Sequence, residues 1–315
     1  DVVLTHDELA SLSDEEVKAL LPRLKVVSRA LPLDKKRLVN LAQEIDLVAG
    51  MTGDGVNDAP SLKAADIGFS MGDGTQAAQE SSDVVILNNS LTSIGKAVLY
   101  GRTMTESVKK FIIFQLTVNV TTIALALVGP LVGFKEPFTI IQILWINLIM
   151  DTLAALAFGE EPTLERYMKR PPVGRKENIL TGYMKSAIGV AGLFITVVST
   201  MLLANLFNLQ QMFDLHNSKE VLTFMFTFFI YAVIFNSLNT RSHGFNVFEH
   251  IGKNKRFIYV MTSIAVVQSL IIQFGGEVFS TVPMDLKHFG MALGLAFLII
   301  PVDMIRKALI GSFKD

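Results

Sequence analysis

Two sets of oxygen-bearing side chains stand out by type and spacing. The first lies in residues 51–65, Met-Thr-Gly-Asp-Gly-Val-Asn-Asp-Ala-Pro-Ser-Leu-Lys-Ala-Ala, where Asp54 and Asp58, with Asn57 beside the second, follow the apolar run Leu47-Val48-Ala49. At the carboxyl end of a parallel strand, such a loop opens into the crevice where α/β folds place their chemistry. Its carboxylates are hard ligands, suited to Mg²⁺ and through it to a phosphoryl group. Gly53 and Gly55 permit bends and close approaches that a Cβ would forbid. A bare Gly-Asp-Gly is also an ordinary surface turn, so the residues beyond it must decide. The second set is Asn119, Asn147 and Asp151, all within apolar stretches. Asn147 and Asp151 are four apart, which on a regular helix puts them on one face. One carboxylate and two amide carbonyls, without thiol or imidazole, suit Ca²⁺ better than copper or zinc. An asparagine in an apolar helix also serves as hydrogen-bond glue between helices. Asp151 is harder to account for that way, because its ionised form needs a cation or other compensation.

The first set requires an α/β scaffold. Thr5 or Ser13 can cap helices, and Ser13-Asp14-Glu15-Glu16 followed by Val17, Leu20 and Leu21 opens an amphipathic helix. The pattern predicts strands at 26–27, 47–49, 67–70 and 84–87, and helices over 35–44 and 59–65. That alternation gives a small parallel sheet with helices on both faces.

The second set requires a membrane. Half of the residues, 50%, are hydrophobic, and the excess is concentrated beyond residue 110. Six apolar segments, near 110–133, 138–158, 184–207, 221–239, 257–276 and 287–309, each reach the ~20 residues that cross ~30 Å of hydrocarbon. A helix over 93–111, with Arg102, Lys109 and Lys110 near its end, leads into the first of them. The loop after the second segment carries Arg166, Lys169, Arg170, Arg175 and Lys176, and that after the fourth carries Arg241, Lys253, Lys255 and Arg256. The alternate loops hold only Lys135, Lys219 and Lys287. The positive-inside rule therefore expects both ends of the chain in the cytoplasm. Glu160, Glu161, Glu277 and Asp303, near segment ends, are expected to be interfacial. The histidines lack metal-ligand spacing, and the Met and Phe residues suit packing and lipid contact. Net charge of −1 suggests no nucleic-acid partner. With no cysteine, disulfides, thiolate metal sites and Cys nucleophiles are excluded. Asp1 is not a natural start, which suggests a fragment or a processed piece.

The string Thr52-Gly53-Asp54-Gly55-Val56-Asn57-Asp58-Ala59-Pro60, continuing through Leu62-Lys63-Ala64-Ala65-Asp66-Ile67-Gly68 to Met71-Gly72 and Gly74-Thr75, resembles the hinge signature of P-type ion-pumping ATPases. Arg29-Ala30-Leu31-Pro32-Leu33-Asp34-Lys35 is similar to the segment of that family, and of the wider haloacid-dehalogenase superfamily, whose lysine contacts the phosphorylated aspartate. Lys35 takes that position. Residues 147–152, with Leu-Ala-Ala-Leu-Ala and Glu161-Pro162 after them, resemble the sixth membrane helix of calcium-transporting members. Residues 114–120 and 235–241, with Asn246-Val247-Phe248, resemble the plasma-membrane calcium pumps in particular.

The resemblance covers essentially the whole chain and implies a fold. Residues 1–92 would be the C-terminal part of a haloacid-dehalogenase-like (Rossmann-like) α/β phosphorylation (P) domain, 93–110 a stalk helix, and 111–315 an all-α bundle of six transmembrane helices, numbers five to ten of the family. It implies that Asp54 holds Mg²⁺, that Asn57 and Asp58 organise the loop, that Lys35 stabilises phosphate oxygens, and that Thr52 and Gly53 border the cofactor. Asn119, Asn147 and Asp151 take the ion-ligand positions for transported Ca²⁺. ATP would be bound mainly by a nucleotide domain ahead of Asp1, and the phosphorylated Asp-Lys-Thr-Gly-Thr string does not occur here, so the chain alone is expected to be inactive. Its partners would be the lipid bilayer, the cation and the missing N-terminal region, with the plasma membrane as location. Where the sarcoplasmic-reticulum type carries two glutamates, this chain has Thr122 and Val233, which implies one Ca²⁺ per cycle. A pump for Na⁺, K⁺ or H⁺ is the competing reading, as is a non-catalytic truncated membrane fragment. A membrane-anchored phosphatase would need a nucleophile from elsewhere in the chain.

Overall fold

The structure, a computed structural model, describes residues 1–174 and 176–310; Arg175, one of the loop cations counted above, lies outside the described residues. The chain divides into two compact units, Asp1–Gly101 with Tyr167–Asn178, and Arg102–Arg166 with Ile179–Asp315.

In the first unit β1 (Val2–Thr5) leads into α1 (His6–Ser11) and α2 (Asp14–Leu20), then β2 (Leu24–Ser28) and α3 (Pro32–Glu44). Thr5 and Ser13 both act as helix caps, their hydroxyls accepting from the Glu8 and Glu16 amides at 3.3 and 3.4 Å. The second half runs β3 (Gly50–Gly53), α4 (Ala59–Ala64), β4 (Ile67–Met71), α5 (Gln76–Glu80) and β5 (Val84–Ile86). All pairings are parallel, but they form two sheets, β1–β2 and β3–β4–β5, rather than the single sheet expected from the alternation. Leu9, Val17 and Leu41 make a separate small core beside β1 and β2. The strand expected at 47–49 lies three residues later. Leu47 and Val48 are exposed, and the Ala49 amide is held by the Asp66 carboxylate at 2.8 Å, so pairing starts at Gly50 against Ile67.

The second unit holds the apolar helices, and among the described residues six are long and apolar enough to cross a membrane by length and composition. They are α6 (Leu91–Val128), which begins in the first unit, α7 (Ile140–Gly159), α8 (Gly182–Leu203), α9 (Ser218–Arg241), α10 (Lys255–Phe274), and a last crossing over Leu286–Ile310. This last crossing is two pieces, α11 (Leu286–Phe297) and α12 (Ile299–Ile310). Pro301 lacks the N–H that would bond back across the junction, which accounts for the break. Helix α8 ends at Leu203, short of the expected 207, because Asn205, Phe207 and Asn208 take positive φ.

Helix α9 is the centre of the bundle: 78% of its apolar window is buried, against 28–39% for the others. Phe224, Phe226, Phe228 and Phe229 are all fully buried on it, and Phe138 packs edge-on against Phe229 at 5.0 Å. Its C-terminal end is closed by the last helix, where the Lys307 ammonium donates to the carbonyls of Asn239, Ser242 and Gly244 at 3.1, 2.9 and 3.2 Å. Lys307 also pairs with Asp303, whose other oxygen takes Arg306 Nε at 2.7 Å. Asp303 is therefore buried and paired within the bundle.

Phe229→Ala should destabilise the bundle by about 3–5 kcal/mol, read as a lower thermal midpoint in detergent. Phe245→Ala, at an exposed position, should change stability by no more than ~0.5 kcal/mol. Equal effects from the two variants would remove α9 from the packing centre.

Candidate functional site

The loop that follows Gly53 is built on the end of β3. Gly53 is the last strand residue, and a Cβ there would lie 2.4 Å from the Asp58 Cβ, so glycine is required by close approach. Gly55, at φ −105° and with Asp58 Oδ2 3.8 Å from a built Cβ, has no such requirement. The chain folds back because Asp58 is buried beneath the loop, its Oδ2 accepting from the Asp54 and Gly55 amides at 3.4 Å each. Lys35 in the first turn of α3 donates to Asp58 Oδ1 at 2.6 Å. Burial opposes charge on Asp58, but the Lys35 ammonium and the two loop amides outweigh it and hold the carboxyl below the ordinary carboxylate range.

The structure thus brings Lys35, Gly53 and Asp58 together and leaves Thr52, Asp54 and Asn57 exposed on the outer side of the same loop. Asp54 presents a solvent-facing carboxylate, a position that fits a hydrated Mg²⁺. The later part of the motif has a physical reason as well. The Thr75 amide donates to the Asp54 carbonyl at 2.8 Å, and a Cβ at Gly74 would stand 3.0 Å from that oxygen.

In the second unit Asp151 is buried, with 7% exposure. Gln115 of α6 lies beside its carboxylate, while Oδ1 has no hydrogen-bond partner among the described residues. A buried, under-satisfied carboxylate oxygen is what a cation ligand looks like before the cation is added. Asn119, one turn along α6 from Gln115, is half-buried, whereas Asn147 is exposed. The expectation that Asn147 and Asp151 share a face fails for a specific reason. Residues Trp145–Met150 form a π-helical turn, and the Asp151 amide bonds to Ile146, five residues back. Ile146, fully buried, therefore lies beneath Asp151 in place of Asn147. Gln115 was not singled out from the sequence; its spacing of four before Asn119 was the available signal.

A second buried carboxylate belongs to Glu161, just past the end of α7, whose side chain is only 5% exposed. Its Oε2 takes Lys110 Nζ at 2.5 Å, and its Oε1 takes Arg241 Nε at 2.7 Å and Asn254 Nδ2 at 3.0 Å. Burial raises the cost of charge on Glu161, yet these partners hold its carboxyl below the ordinary range. Glu160 and Glu277 are exposed.

Asp58→Ala should release the Asp54 and Gly55 amides, raising hydrogen exchange over residues 52–58 by about tenfold, a loss of ~1.4 kcal/mol in local opening free energy. Unchanged protection would mean that Asp58 does not hold the loop.

Residues 135–309 match the family model described as cation transporting ATPase, C-terminus. The chain is 38% identical over 315 residues to the probable calcium-transporting ATPase 8, plasma membrane-type, of Oryza sativa subsp. japonica, covering 99% of this chain and 31% of the relative. It is 37% identical over 314 residues to the plasma membrane calcium-transporting ATPase 1 of Mus musculus, covering 93% of this chain and 25% of the relative. It is 35% identical over 314 residues to calcium-transporting ATPase 2 of Schizosaccharomyces pombe, covering 97% and 24%. The chain therefore spans about a quarter to a third of the length of these curated relatives. The fold of six membrane-type helices and the match over 135–309 together make this chain a member of the cation-transporting ATPase family, carrying its C-terminal region.

Proposed function

We propose that the chain forms part of an ATP-driven calcium pump of the plasma membrane, supplying the Mg²⁺-organising side of the phosphorylation site and most of the membrane ion site. The observation that carries this reading is the buried Asp151 carboxylate with one oxygen unpartnered. Residues 1–92 then belong to a haloacid-dehalogenase-like P domain, 93–110 to a stalk and 111–315 to the transmembrane domain, with both ends cytoplasmic. Helix α6 supports the stalk assignment, since it runs unbroken from Leu91 to Val128 past Gln115 and Asn119.

In this reading Asp54 and the neighbouring Thr52–Gly53 backbone face the phosphoryl group and its Mg²⁺. When bound, that ion neutralises charge developing on the transferred phosphoryl. Asp58 and Asn57 shape the loop. Lys35 has three donors, one of them committed to Asp58 and the others directed to phosphate oxygens. The aspartate that accepts the phosphoryl, and most of the ATP site, belong to chain outside these 315 residues, so the isolated chain would be inactive.

Ca²⁺ is the transported substrate, taken by Asp151 with the Asn119 carbonyl. Asn147 lies on an exposed, otherwise apolar face with Leu144 and Leu148. Two features support a single ion per cycle. Thr122 spends its hydroxyl on the Val118 carbonyl at 2.9 Å, and Val233 is buried in the apolar core, so neither position offers a carboxylate.

Radiolabelled Ca²⁺ uptake into vesicles by the full-length protein tests the reading. Asp151→Asn should weaken apparent Ca²⁺ affinity at least about tenfold, ~1.4 kcal/mol, and Asp54→Asn should block phosphoenzyme turnover with Ca²⁺ affinity retained. The ratio of Ca²⁺ moved to ATP hydrolysed should be one. Transport unimpaired in Asp151→Asn, or stimulated by Na⁺ or K⁺ but not Ca²⁺, refutes it.

A further inference from the structure

Besides the ion site, the second unit contains a buried charge cluster. Glu161 stands just past the end of α7, Lys110 lies on α6, Arg241 is the last residue of α9, and Asn254 precedes α10. The side chains of Lys110, Glu161 and Arg241 are 4%, 5% and 2% exposed, so the cluster is shut off from solvent. Asn254 is committed three ways: its Oδ1 caps α10 by accepting from the Phe257 amide at 2.8 Å, and its Nδ2 donates to Glu161 and to the Ala157 carbonyl, each at 3.0 Å. An aromatic trio seals one side. Phe158 packs against Phe114 at 5.6 Å and against Phe257 at 5.7 Å, and the Arg241 guanidinium lies 5.3 Å over the Phe257 ring. One carboxylate thus gathers donors from three other helices in a dry setting, where directional bonds are strong and hard to exchange for water.

The axial position of α6 against α7 is what this cluster fixes. Gln115 is five residues from Lys110 on α6, and Asp151 is ten residues from Glu161 on α7. At 1.5 Å of rise per residue the separation on α6 is ~8 Å, and a slip of α6 by one turn, ~5.4 Å, would carry Gln115 away from Asp151 and break the Lys110 bond to Glu161. We infer that Glu161 is the register lock between α6 and α7, and through that register the positioning residue for the Asp151–Gln115 pair. The second half of this statement rests on the ion-site reading above. Glu161 touches neither the cation nor Asp151; it sets where α7 stands when the cation arrives.

The test uses the full-length protein in membranes, with Glu161→Gln, Lys110→Met and the double variant, beside Asp151→Asn. Two readouts are taken. The first is the Ca²⁺ concentration for half-maximal uptake, separated from maximal rate. The second is a spin-label distance between cysteines placed at Val120 on α6 and Leu148 on α7, both exposed positions, in a full-length background from which any other cysteine has been replaced. Glu161→Gln and Lys110→Met should each raise the half-maximal concentration about fivefold or more with maximal rate largely kept. The double variant should be no worse than the worse single one, and the label distance should broaden or shift in all three. Should Glu161→Gln fail to reach the membrane, Asn254→Ser keeps a capping hydroxyl for α10 while removing the amide donor to Glu161, and should move both readouts the same way by a smaller factor. Unchanged distances, or fully multiplicative effects of the two substitutions, overturn the lock. A shifted distance in Glu161→Gln with Ca²⁺ affinity untouched there and in Asp151→Asn upholds the lock and sinks the ion-site reading instead.

Discussion

A carboxylate enclosed by helices has to be met by positive charge or by donors, because an uncompensated one costs several kcal/mol. The second unit meets this demand in two opposite ways. Glu161 is answered completely, by Lys110, Arg241 and Asn254. Asp151 has Gln115 beside it and keeps an oxygen bare among the described residues. Pairing makes the first a fixture of the bundle. In the proposed reading, incomplete pairing makes the second the place for an added cation. The two lie on the same pair of elements, α6 and α7, so the rigid one frames the responsive one.

The first unit repeats the division on a smaller scale. Asp58, beneath the loop, is consumed by Lys35 and by two backbone amides, and its role is to hold the turn. Asp54, four residues earlier, is exposed at the tip. Two carboxylates in one short string therefore differ in work because one faces inward and the other outward, a difference imposed by the close approach at Gly53.

What could be read from the residues follows how local each signal is. The six apolar helices and the Thr5 and Ser13 caps were legible because a crossing length and a cap are properties of a few neighbouring residues. The start of β3 was not, because Leu47 and Val48 have strand-like side chains while pairing is decided by the partner strand and by Asp66. The π turn over Trp145–Met150 left no mark in the hydrophobic pattern, so Asn147 was assigned to the face that Ile146 occupies. The burial of Glu161 and Asp303 was not legible for a third reason. Proximity to a segment end suggested water, and the partners that bury Glu161 lie 51, 80 and 93 residues away, beyond any local pattern.

The buried ammonium of Lys307 bears on the order in which the molecule can be assembled. Until the last crossing arrives, the carbonyls of Asn239, Ser242 and Gly244 lack the donor that joins them. The most enclosed helix of the bundle, α9, must therefore wait with its end open for a residue made roughly seventy positions later, at ~5–20 residues per second. Completion of the bundle is for that reason a late event, and a stop codon even a few residues ahead of 307 would leave its central helix permanently unsealed.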